Sequence, residues 1–335
     1  MLVVHLVSTL TLSLQFFAPF HFLRCKTAFL RPSFKRSDHP HSMTRAMLTR
    51  WTVPTPPIDA GWYLSVLSSS SGGNCTLLRV HDGQRFRHLL IDLGLSPRRT
   101  REILSLFGLA LKDVDAALLT HMDQDHLHPG WLAPQGKASP LREDALMLVH
   151  DSHFAAARAA ALHRPNLLPI ASENEPRHLF SDVSTHPAPL PAAMRITTVL
   201  SAHDRAGAAS FRLTLPCGAA LGFATDIGRV TEPLLELFAG VDVLAIESNY
   251  CPVMQLESNR PEQLKRRIMG GAGHLSNHET KEAVQHIAPK RHVVLLHLSR
   301  QCNTPATVAN LHAGAPYATT ISDPDRPTRW VRIDA

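Results

Sequence analysis

The 335-residue chain has few cysteines, and their arrangement argues against a structural role. There are five, an odd number, and no two of them form a CxxC pair; they are Cys25, Cys75, Cys217, Cys251 and Cys302. A disulfide framework needs an even set of cysteines at suitable spacing. The sequence therefore favours a reducing compartment, and we predict a cytoplasmic protein.

A long uninterrupted apolar run is also missing. The first 24 residues are apolar, but His5, Gln15 and His21 break them, and no lysine or arginine precedes Arg24. A secretory signal carries its positive charge ahead of the apolar core, and a spanning helix would place three polar side chains in hydrocarbon. We therefore expect no stable membrane association.

The next stretch, 25–58, is basic, contains proline and has no periodicity, which is typical of a disordered linker. We predict an extension over 1–58, apolar and then basic, followed by a single domain over 59–335. Met43 or Met47 is a hypothetical true start of the protein, which N-terminal sequencing would test.

A large charge imbalance is absent as well: 34 basic and 28 acidic residues give a net charge of +6. This moderate excess suits a phosphate-bearing partner, but it equally suits an ordinary solvated surface. No base-reading motif is present, so any preference for a nucleic acid would depend on structure rather than on base sequence. Histidine, in contrast, is abundant, with 21 residues.

The most informative stretch is 120–126, Thr-His-Met-Asp-Gln-Asp-His. It follows an apolar run, 114–119, that predicts a buried strand. Four potential metal ligands stand within six residues: His121, Asp123, Asp125 and His126. Imidazole and carboxylate bind zinc, manganese and iron(II). A charged loop with incidental histidines is the alternative.

Predicted strands alternate with predicted helices, twice over, and each half begins with hairpins. The strands are predicted at 62–67, 75–80, 89–94, 114–119, 146–149, 194–200, 210–215, 219–223, 241–246 and 292–296. The helices are predicted at 97–107, 152–162, 232–238, 261–269, 278–287 and 305–311. The proline-rich stretch 163–192 is predicted to be mostly loop. This pattern predicts an α/β fold in which helices cover the sheets.

Polar side chains follow many of these strands. Besides 121–126 they are Asp92, His203, Asp226, Glu247 and His297, and His274 lies in a Gly-flanked segment. Function on layered α/β scaffolds is usually mounted at strand ends. Each residue alone could be structural, since a lone histidine often bonds to backbone and Asp226 could cap the helix after it.

The order of these residues resembles the metallo-β-lactamase superfamily, whose pattern is an Asp, then His-x-His-x-Asp-His, then His, Asp and His. Stretches 69–75, 222–228, 247–249, 264–270, 273–277 and 297–300 resemble its YycJ (WalJ) branch more closely. The similarity covers roughly 62–320. It implies a four-layer αβ/βα sandwich of two mixed sheets covered by helices.

The resemblance also implies two divalent metal ions, Zn²⁺ or Mn²⁺, with Fe²⁺ as a further option. One ion would be held by His121, Asp123 and His203. The other would be held by Asp125, His126 and His297, with Asp226 bridging the two ions and Asp125 counted among the catalytic residues. Asp92 would orient a ligating imidazole. Two adjacent ions create a bridging hydroxide at neutral pH and stabilise a phosphoryl or acyl transition state.

One residue departs from the family pattern. Asp123 replaces the second histidine of the motif. A carboxylate still binds a divalent metal, and a harder ligand set should shift the preference from zinc toward manganese or iron(II). Alternatively, the first position is weakened and a single ion binds tightly. His128 is another potential ligand.

Two further features bear on the reaction. By resemblance to the tRNA-processing branch, we expect His274 to act as a general acid, with Glu247 fixing its tautomer; helix capping or a salt bridge is the alternative role of Glu247. The cations Lys265, Arg266 and Arg267 would spread over different faces of a helix. They could hold a nucleic-acid backbone, or they could be a solvated run.

Three functions remain open on the sequence alone. The first is a metal-dependent phosphodiesterase acting on DNA, since the YycJ branch is associated with 5′-to-3′ exonuclease activity, with nucleic acid as the partner. The second is a hydrolase of thioesters, lactones or cyclic phosphodiesters. The third is a non-catalytic regulatory module in which Asp123 has abolished metal binding. The oligomeric state is not predicted.

Overall fold

Two seven-stranded β-sheets form the frame of the protein in this computed structural model, which describes residues 52–132, 139–160, 167–170, 177–179, 194–203 and 206–335. In chain order the strands are β1 (Trp62–Ser68), β2 (Cys75–His81), β3 (Phe86–Ile91), β4 (Ala116–Leu119), β5 (Leu146–His150), β6 (Leu167–Ile170), β7 (Arg177–Leu179), β8 (Met194–Ser201), β9 (Ala208–Thr214), β10 (Ala220–Ala224), β11 (Val243–Glu247), β12 (His292–Leu296), β13 (Ala318–Ile321) and β14 (Val331–Arg332).

Seven α-helices occur among the described residues. They are α1 (Pro97–Leu106), α2 (Asp151–Ala159), α3 (Glu232–Phe238), α4 (Pro252–Glu257), α5 (Glu262–Met269), α6 (Asn277–Ile287) and α7 (Pro305–Leu311). Local caps fix where several begin: Ser96 accepts a hydrogen bond from the amide of Arg99, and Ser276 forms a capping box with Glu279. None of these helices is long and apolar enough to cross a membrane.

The two sheets have the same pattern of parallel and antiparallel pairs. The first has the order β14-β1-β2-β3-β4-β5-β6 and the second the order β13-β12-β11-β10-β9-β8-β7. Both are mixed: the strands from β3 to β6 are parallel to one another, as are those from β10 to β13, while the other pairs are antiparallel. Parallel neighbours bring their carboxyl ends to the same edge of a sheet.

Side chains alternate between two buried layers along each strand. Leu89 and Ile91 of β3 lie in the core between the sheets, whereas Leu90 faces the outer layer. The inner core contains residues of both sheets, such as Leu64 and Val294. Helix α1 packs on the outer face of the first sheet, and α3, α6 and α7 pack on that of the second. The predicted four-layer α/β sandwich is therefore confirmed.

The stretch 163–192, predicted to be mostly loop, contains the edge strands β6 and β7. The prediction was wrong for these residues because both strands are short and because Pro169 lies inside β6. Proline is tolerated there since an edge strand leaves one side of its backbone unpaired. The rest of that stretch lies outside the described residues. Helix α4 and strands β13 and β14 were not predicted.

The N-terminal extension lies almost entirely outside the described residues, and its boundary with the domain stays a prediction. Residues 52–58 contain neither helix nor strand but contact the domain. The carbonyl of Pro57 accepts a hydrogen bond from Arg79 Nε at 3.1 Å. The carbonyl of Pro54 accepts one from Trp330 Nε1 at 3.4 Å.

Candidate metal centre

The polar residues that follow the parallel strands of both sheets converge on one region. Asp92 follows β3 and His121 follows β4 in the first sheet, while Asp226 follows β10 and His297 follows β12 in the second. A hydrogen bond from the amide of Ala209 to the carbonyl of Thr120 (2.8 Å) ties the two sheets together beside the motif. Asp125 and His297, which are 297 − 125 = 172 positions apart along the chain, thus lie 3.8 Å from each other.

Three donor atoms, which we call corner one, come from His121, Asp123 and His203. Asp123 Oδ2 lies 3.8 Å from His121 Nε2 and 3.9 Å from His203 Nε2. Asp226 Oδ2 lies 3.8 Å from the first imidazole nitrogen and 3.7 Å from the second. Both imidazoles are buried, whereas the side chain of Asp123 is 54% exposed.

Corner two consists of Asp125, His126 and His297. Asp125 Oδ2 lies 3.8 Å from both His126 Nε2 and His297 Nε2. Asp226 Oδ2, the same atom that faces corner one, lies 3.2 Å from His126 Nε2. A single carboxylate oxygen therefore lies between two sets of nitrogen and oxygen donors.

Hydrogen bonds on the far side of two rings set their tautomers. Asp92 Oδ2 lies 2.7 Å from His126 Nδ1, and the carbonyl of Gly273 lies 3.1 Å from His203 Nδ1. Both oxygens are acceptors only, so each Nδ1 carries a proton, and Nε2 is the ring nitrogen whose lone pair can serve a ligand. Thr120 holds Asp92 in turn, through its hydroxyl at 2.9 Å and its amide at 2.8 Å.

The donor set fits a divalent cation. Among the described residues, His121 Nε2 and His297 Nε2 are buried and have no hydrogen-bond partner, an arrangement that is costly without a ligand. Three groups of donor atoms lie within 4.8 Å of one another: Asp125, His126, Asp226 and His297; His121, His203 and Asp226; and Asp226, Glu247, His274 and His297. Nitrogen and oxygen donors without thiolate suit zinc, manganese or iron(II).

The charges of the site favour a cation as well. Burial alone would lower the pKa of His126, but Asp226 and Asp92 raise it well above its usual range. In the same way, Asp226 and Glu247 overcome burial and raise the pKa of His297 to about 10. The carboxylates therefore attract positive charge into this region, as protons where no metal ion supplies it.

The backbone is strained where it delivers the side chains. Asp92, Asp226 and His297 have φ angles of 62°, 53° and 55°, in the left-handed region that is uncommon for residues other than glycine. Asp92 and His297 directly follow a parallel strand, and Asp226 is the second residue after one. Such conformations cost roughly 1–3 kcal/mol each and cluster at functional sites, where the surrounding structure holds them.

His274 and Glu247 adjoin corner two. His274 Nδ1 lies 2.7 Å from Glu247 Oε1, and Glu247 Oε2 accepts a hydrogen bond from the amide of Ile227 at 2.9 Å. Glu247 is completely buried, whereas the side chain of His274 is 21% exposed. Burial would lower the pKa of His274, but the charge of Glu247 raises it. A partly exposed imidazole that holds a proton beside a metal site can deliver it to a ligand.

The basic run on α5 is divided between two environments. Lys265 is buried, and its Nζ donates to the carbonyl of Leu256 at 2.7 Å and lies 3.0 Å from Glu262. The lysine thus ties α4 to α5. Arg266 and Arg267 are exposed. His128, the other potential ligand, accepts from the amide of Gly130 at 2.9 Å and belongs to none of the donor groups found among the described residues.

Sequence reasoning missed two residues near the centre. Asn74 places its Nδ2 3.0 Å from His126 Nε2. His153 on α2 is buried, hydrogen-bonds to the backbone of Gly207 and lies close enough to Asp123 for that charge to act on its pKa. Each had a weak signal in the sequence. Asn74 ends the Ser/Gly loop before β2, and His153 lies at the start of the helix that follows β5.

Comparison with known proteins identifies the family of the chain. The family model described as Beta-lactamase superfamily domain matches residues 87–298, which is more than half of the chain. Exodeoxyribonuclease WalJ of Streptococcus pneumoniae serotype 2 is 26% identical over 249 residues, which cover 73% of this chain and 84% of the relative. Exodeoxyribonuclease YycJ of Bacillus anthracis is 26% identical over 248 residues, covering 72% and 84%.

A solved structure shows the same fold. The metallo-β-lactamase fold protein YhfI from Bacillus subtilis superposes with a TM-score of 0.56 at 16% identity, covering 79% of this chain and 98% of that one. The family match covers β3 to β12 and therefore includes both corners and His274. The chain belongs to the β-lactamase superfamily and is a metallo-β-lactamase fold protein of the YycJ/WalJ-like type.

Proposed function

We propose that the protein is a metal-dependent phosphodiesterase that degrades DNA as a 5′-to-3′ exonuclease. The observation that carries the proposal is the position of Asp226 Oδ2, within 3.2–3.8 Å of imidazole nitrogens from both corners. This arrangement suits two adjacent cations, which can stabilise both the attacking and the leaving oxygen in phosphoryl transfer. The relatives named exodeoxyribonucleases support DNA as the substrate class.

Corner one would hold one ion and corner two the other, with Asp226 between them. Bound ions lower the pKa of water to produce a nucleophile at neutral pH and neutralise charge that develops on the phosphoryl oxygens. The protein's own contribution is to fix the donors: Asp92 and the carbonyl of Gly273 hold the rings of His126 and His203 with Nε2 directed into the site.

Asp123 sets the character of corner one. Its carboxylate gives that corner two imidazoles and two carboxylates, counting Asp226, so the set is harder than three imidazoles. We infer a preference there for manganese or iron(II) over zinc. The half-exposed side chain of Asp123 is also more accessible to solvent than its buried neighbours His121 and His203.

His274 would act as the general acid. Its Nδ1–H is directed to Glu247, so the proton on Nε2 is available for the leaving oxygen of the cleaved bond. The raised pKa of His274 keeps this proton in place until the bond breaks. Glu247 is held by the amide of Ile227 and fixes the tautomer and orientation of the ring.

The surface beside His274 would contact the nucleic-acid backbone. The amide of His274 donates to the carbonyl of Ile268 on α5, so Arg266 and Arg267 lie on a helix that adjoins the general acid. Exposed arginines attract phosphate by charge and make binding depend on salt. Lys265 is buried, and its amine ties α5 to α4 by donating to the carbonyl of Leu256.

The test is a comparison of substrates on one preparation. Labelled DNA and RNA are incubated with Mn²⁺ or Zn²⁺, beside bis-nitrophenyl phosphate and a generic thioester, using wild type, His126→Ala and the exposed His278→Ala as control. We expect DNA cleavage that His126→Ala abolishes and His278→Ala preserves. Turnover of small esters without any cut nucleic acid would overturn the proposal, as would a purified protein that neither contains nor takes up metal.

A further inference from the structure

His297 carries a donor of corner two on a left-handed turn that side chains hold from both directions. Its amide donates to the hydroxyl of Ser69 at 2.8 Å, and its carbonyl accepts from Asn249 Nδ2 at 2.8 Å. The amide belongs to the peptide group before the Cα atom of His297, and the carbonyl belongs to the peptide group after it. Because peptide groups are planar, holding these two groups sets φ and ψ of His297, and with them the direction of its Cβ atom.

The left-handed turn at Asp92 is held differently. The amide of Asp92 donates to a backbone oxygen, the carbonyl of Leu118, at 2.9 Å. That bond does not depend on which side chain residue 118 carries. At His297, in contrast, both bonds need a particular side chain, a hydroxyl at 69 and a carboxamide at 249. The direction of the His297 imidazole therefore depends on two residue types elsewhere in the chain.

The bond between His297 and Ser69 is one link of a longer chain of hydrogen bonds. The amide of His297 can only donate, so the single hydroxyl hydrogen of Ser69 is free to donate to Asn74 Oδ1, at 2.9 Å. Asn74 Nδ2 donates in turn to the carbonyl of Asp125 at 3.2 Å, and the Asn74 amide donates to the same oxygen at 2.7 Å. The chain thus joins the backbones of His297 and Asp125, whose Nε2 and Oδ2 atoms lie 3.8 Å apart in corner two.

These bonds are shielded from solvent. Ser69 and Asn249 are 3% and 5% exposed. The backbone of Asn249 is anchored as well, since its amide donates to the carbonyl of Leu275 at 3.1 Å and its carbonyl accepts from the amide of Ser299 at 2.8 Å. A buried peptide group that loses its partner costs about 1–3 kcal/mol. Loss of either side chain would therefore remove what holds an already costly left-handed conformation at His297.

We propose that Ser69 and Asn249 are positioning residues of the metal centre, which hold the imidazole of His297 where a divalent ion in corner two can bind it together with Asp125. The inference rests on the function proposed above. Ser69 follows β1 of the first sheet, and Asn249 follows β11 of the second. The two residues therefore fix one ligand of corner two against both sheets. Their loss should weaken the binding of the ion in corner two and leave the ion in corner one unaffected.

The experiment is a metal titration of the purified protein and needs no nuclease assay. Wild type is compared with Ser69→Ala, Ser69→Thr, Asn249→Ala and Ser65→Ala, with Co²⁺ binding followed by visible absorbance and by competition with a chromophoric chelator. Ser65 of β1 is the matched control, because its buried hydroxyl donates to the carbonyl of Thr328 at 2.9 Å and neither residue belongs to a corner. His126→Ala identifies the binding step that belongs to corner two.

We expect the affinity of corner two to fall by roughly 10- to 100-fold in Ser69→Ala and Asn249→Ala, the usual effect of losing a group that orients a metal ligand. The other binding step should keep its wild-type affinity. The absorbance of Co²⁺ in corner two should also change, because the ligand geometry changes. Ser69→Thr keeps the hydroxyl and should restore most of the affinity, whereas Ser65→Ala should alter neither step.

Two results would overturn the inference. One is wild-type affinity for both ions in Ser69→Ala and Asn249→Ala, and the other is an equal weakening of both binding steps, which a general loss of stability would produce. If Ser69→Ala does not fold, Asn249→Ala decides, because it removes the bond on the other side of the same turn. The proposed function fails by a different observation: a protein that binds both ions, with corner two weakened as expected in these variants, but cleaves no phosphodiester.

Discussion

Glu247 Oε1 lies 2.7 Å from His274 Nδ1 and joins a fully buried carboxylate to an imidazole that reaches solvent. The carboxylate comes from the end of β11, and the imidazole from the segment between α5 and α6. The pair therefore connects the interior of the second sheet with the surface of the site. The role of this pair can be tested with two substrates, one whose leaving group needs a proton and one whose leaving group does not.

We expect His274→Ala to reduce DNA cleavage by roughly 10²–10⁴-fold, the usual contribution of a general acid. Cleavage of bis-nitrophenyl phosphate should fall much less, because nitrophenolate leaves without protonation. Glu247→Gln should shift both activities in the same direction by a smaller factor. Steady-state kinetics on the two substrates provide the measurement, and equal losses on both would contradict the assigned role.

Replacing Asp123 with histidine should give corner one a softer set of metal ligands. We expect Asp123→His to bind Zn²⁺ more tightly by about tenfold, or about 1.4 kcal/mol, while its affinity for Mn²⁺ stays constant or falls. Competition with a chromophoric chelator measures both affinities. An unchanged ratio of zinc to manganese affinity would show that residue 123 does not contact the metal.

Gly94 is predicted to be irreplaceable because the backbone of Asp125 leaves no room for a side chain there. A Cβ at this position would lie 1.7 Å from the carbonyl oxygen of Asp125 and 2.6 Å from the amide nitrogen of Asn74. Gly94→Ala must therefore displace the metal motif, with a loss of metal and a destabilisation of about 1–3 kcal/mol or more. Gly72→Ala is the matched control, since its nearest contact would be an ordinary 3.4 Å. Metal content and urea unfolding would separate the two.

His312 should make the protein less stable in acid. Burial and the nearby charge of Lys281 lower its pKa to about 4, whereas its ordinary value is 6.5. The unfolded chain therefore binds more protons between these values, so the stability contributed by the neutral ring is complete above pH 6.5 and is lost as the pH falls toward 4. The ring also lies 2.9 Å from the hydroxyl of Tyr317, a contact that His312→Gln would alter.

The measurement is urea unfolding of wild type and His312→Gln at pH 7.5 and 5.0. We expect the free energy of unfolding to fall more for wild type than for His312→Gln when the pH is lowered from 7.5 to 5.0. A difference that does not change with pH would mean that His312 does not titrate in this range.

The layered fold could be predicted because its signals are local. Apolar runs such as 114–119 are long enough to specify strands, and they alternate with segments of helical spacing. The order of polar residues along the chain also indicated the superfamily. The edge strands β6 and β7 were missed because short strands containing or flanked by proline give no periodic pattern, and only pairing with a neighbour defines them.

By itself the sequence determined which groups are available and where along the chain they stand: imidazoles and carboxylates after strands, and an aspartate in place of one histidine. Only the tertiary structure decided that Asp226 faces both corners, that Lys265 is occupied between two helices, and that Asn74 points its amide at His126. The physical reason is that these contacts join residues far apart in sequence. Their distances depend on how two sheets pack and on left-handed turns at Asp92, Asp226 and His297, which no local pattern specifies.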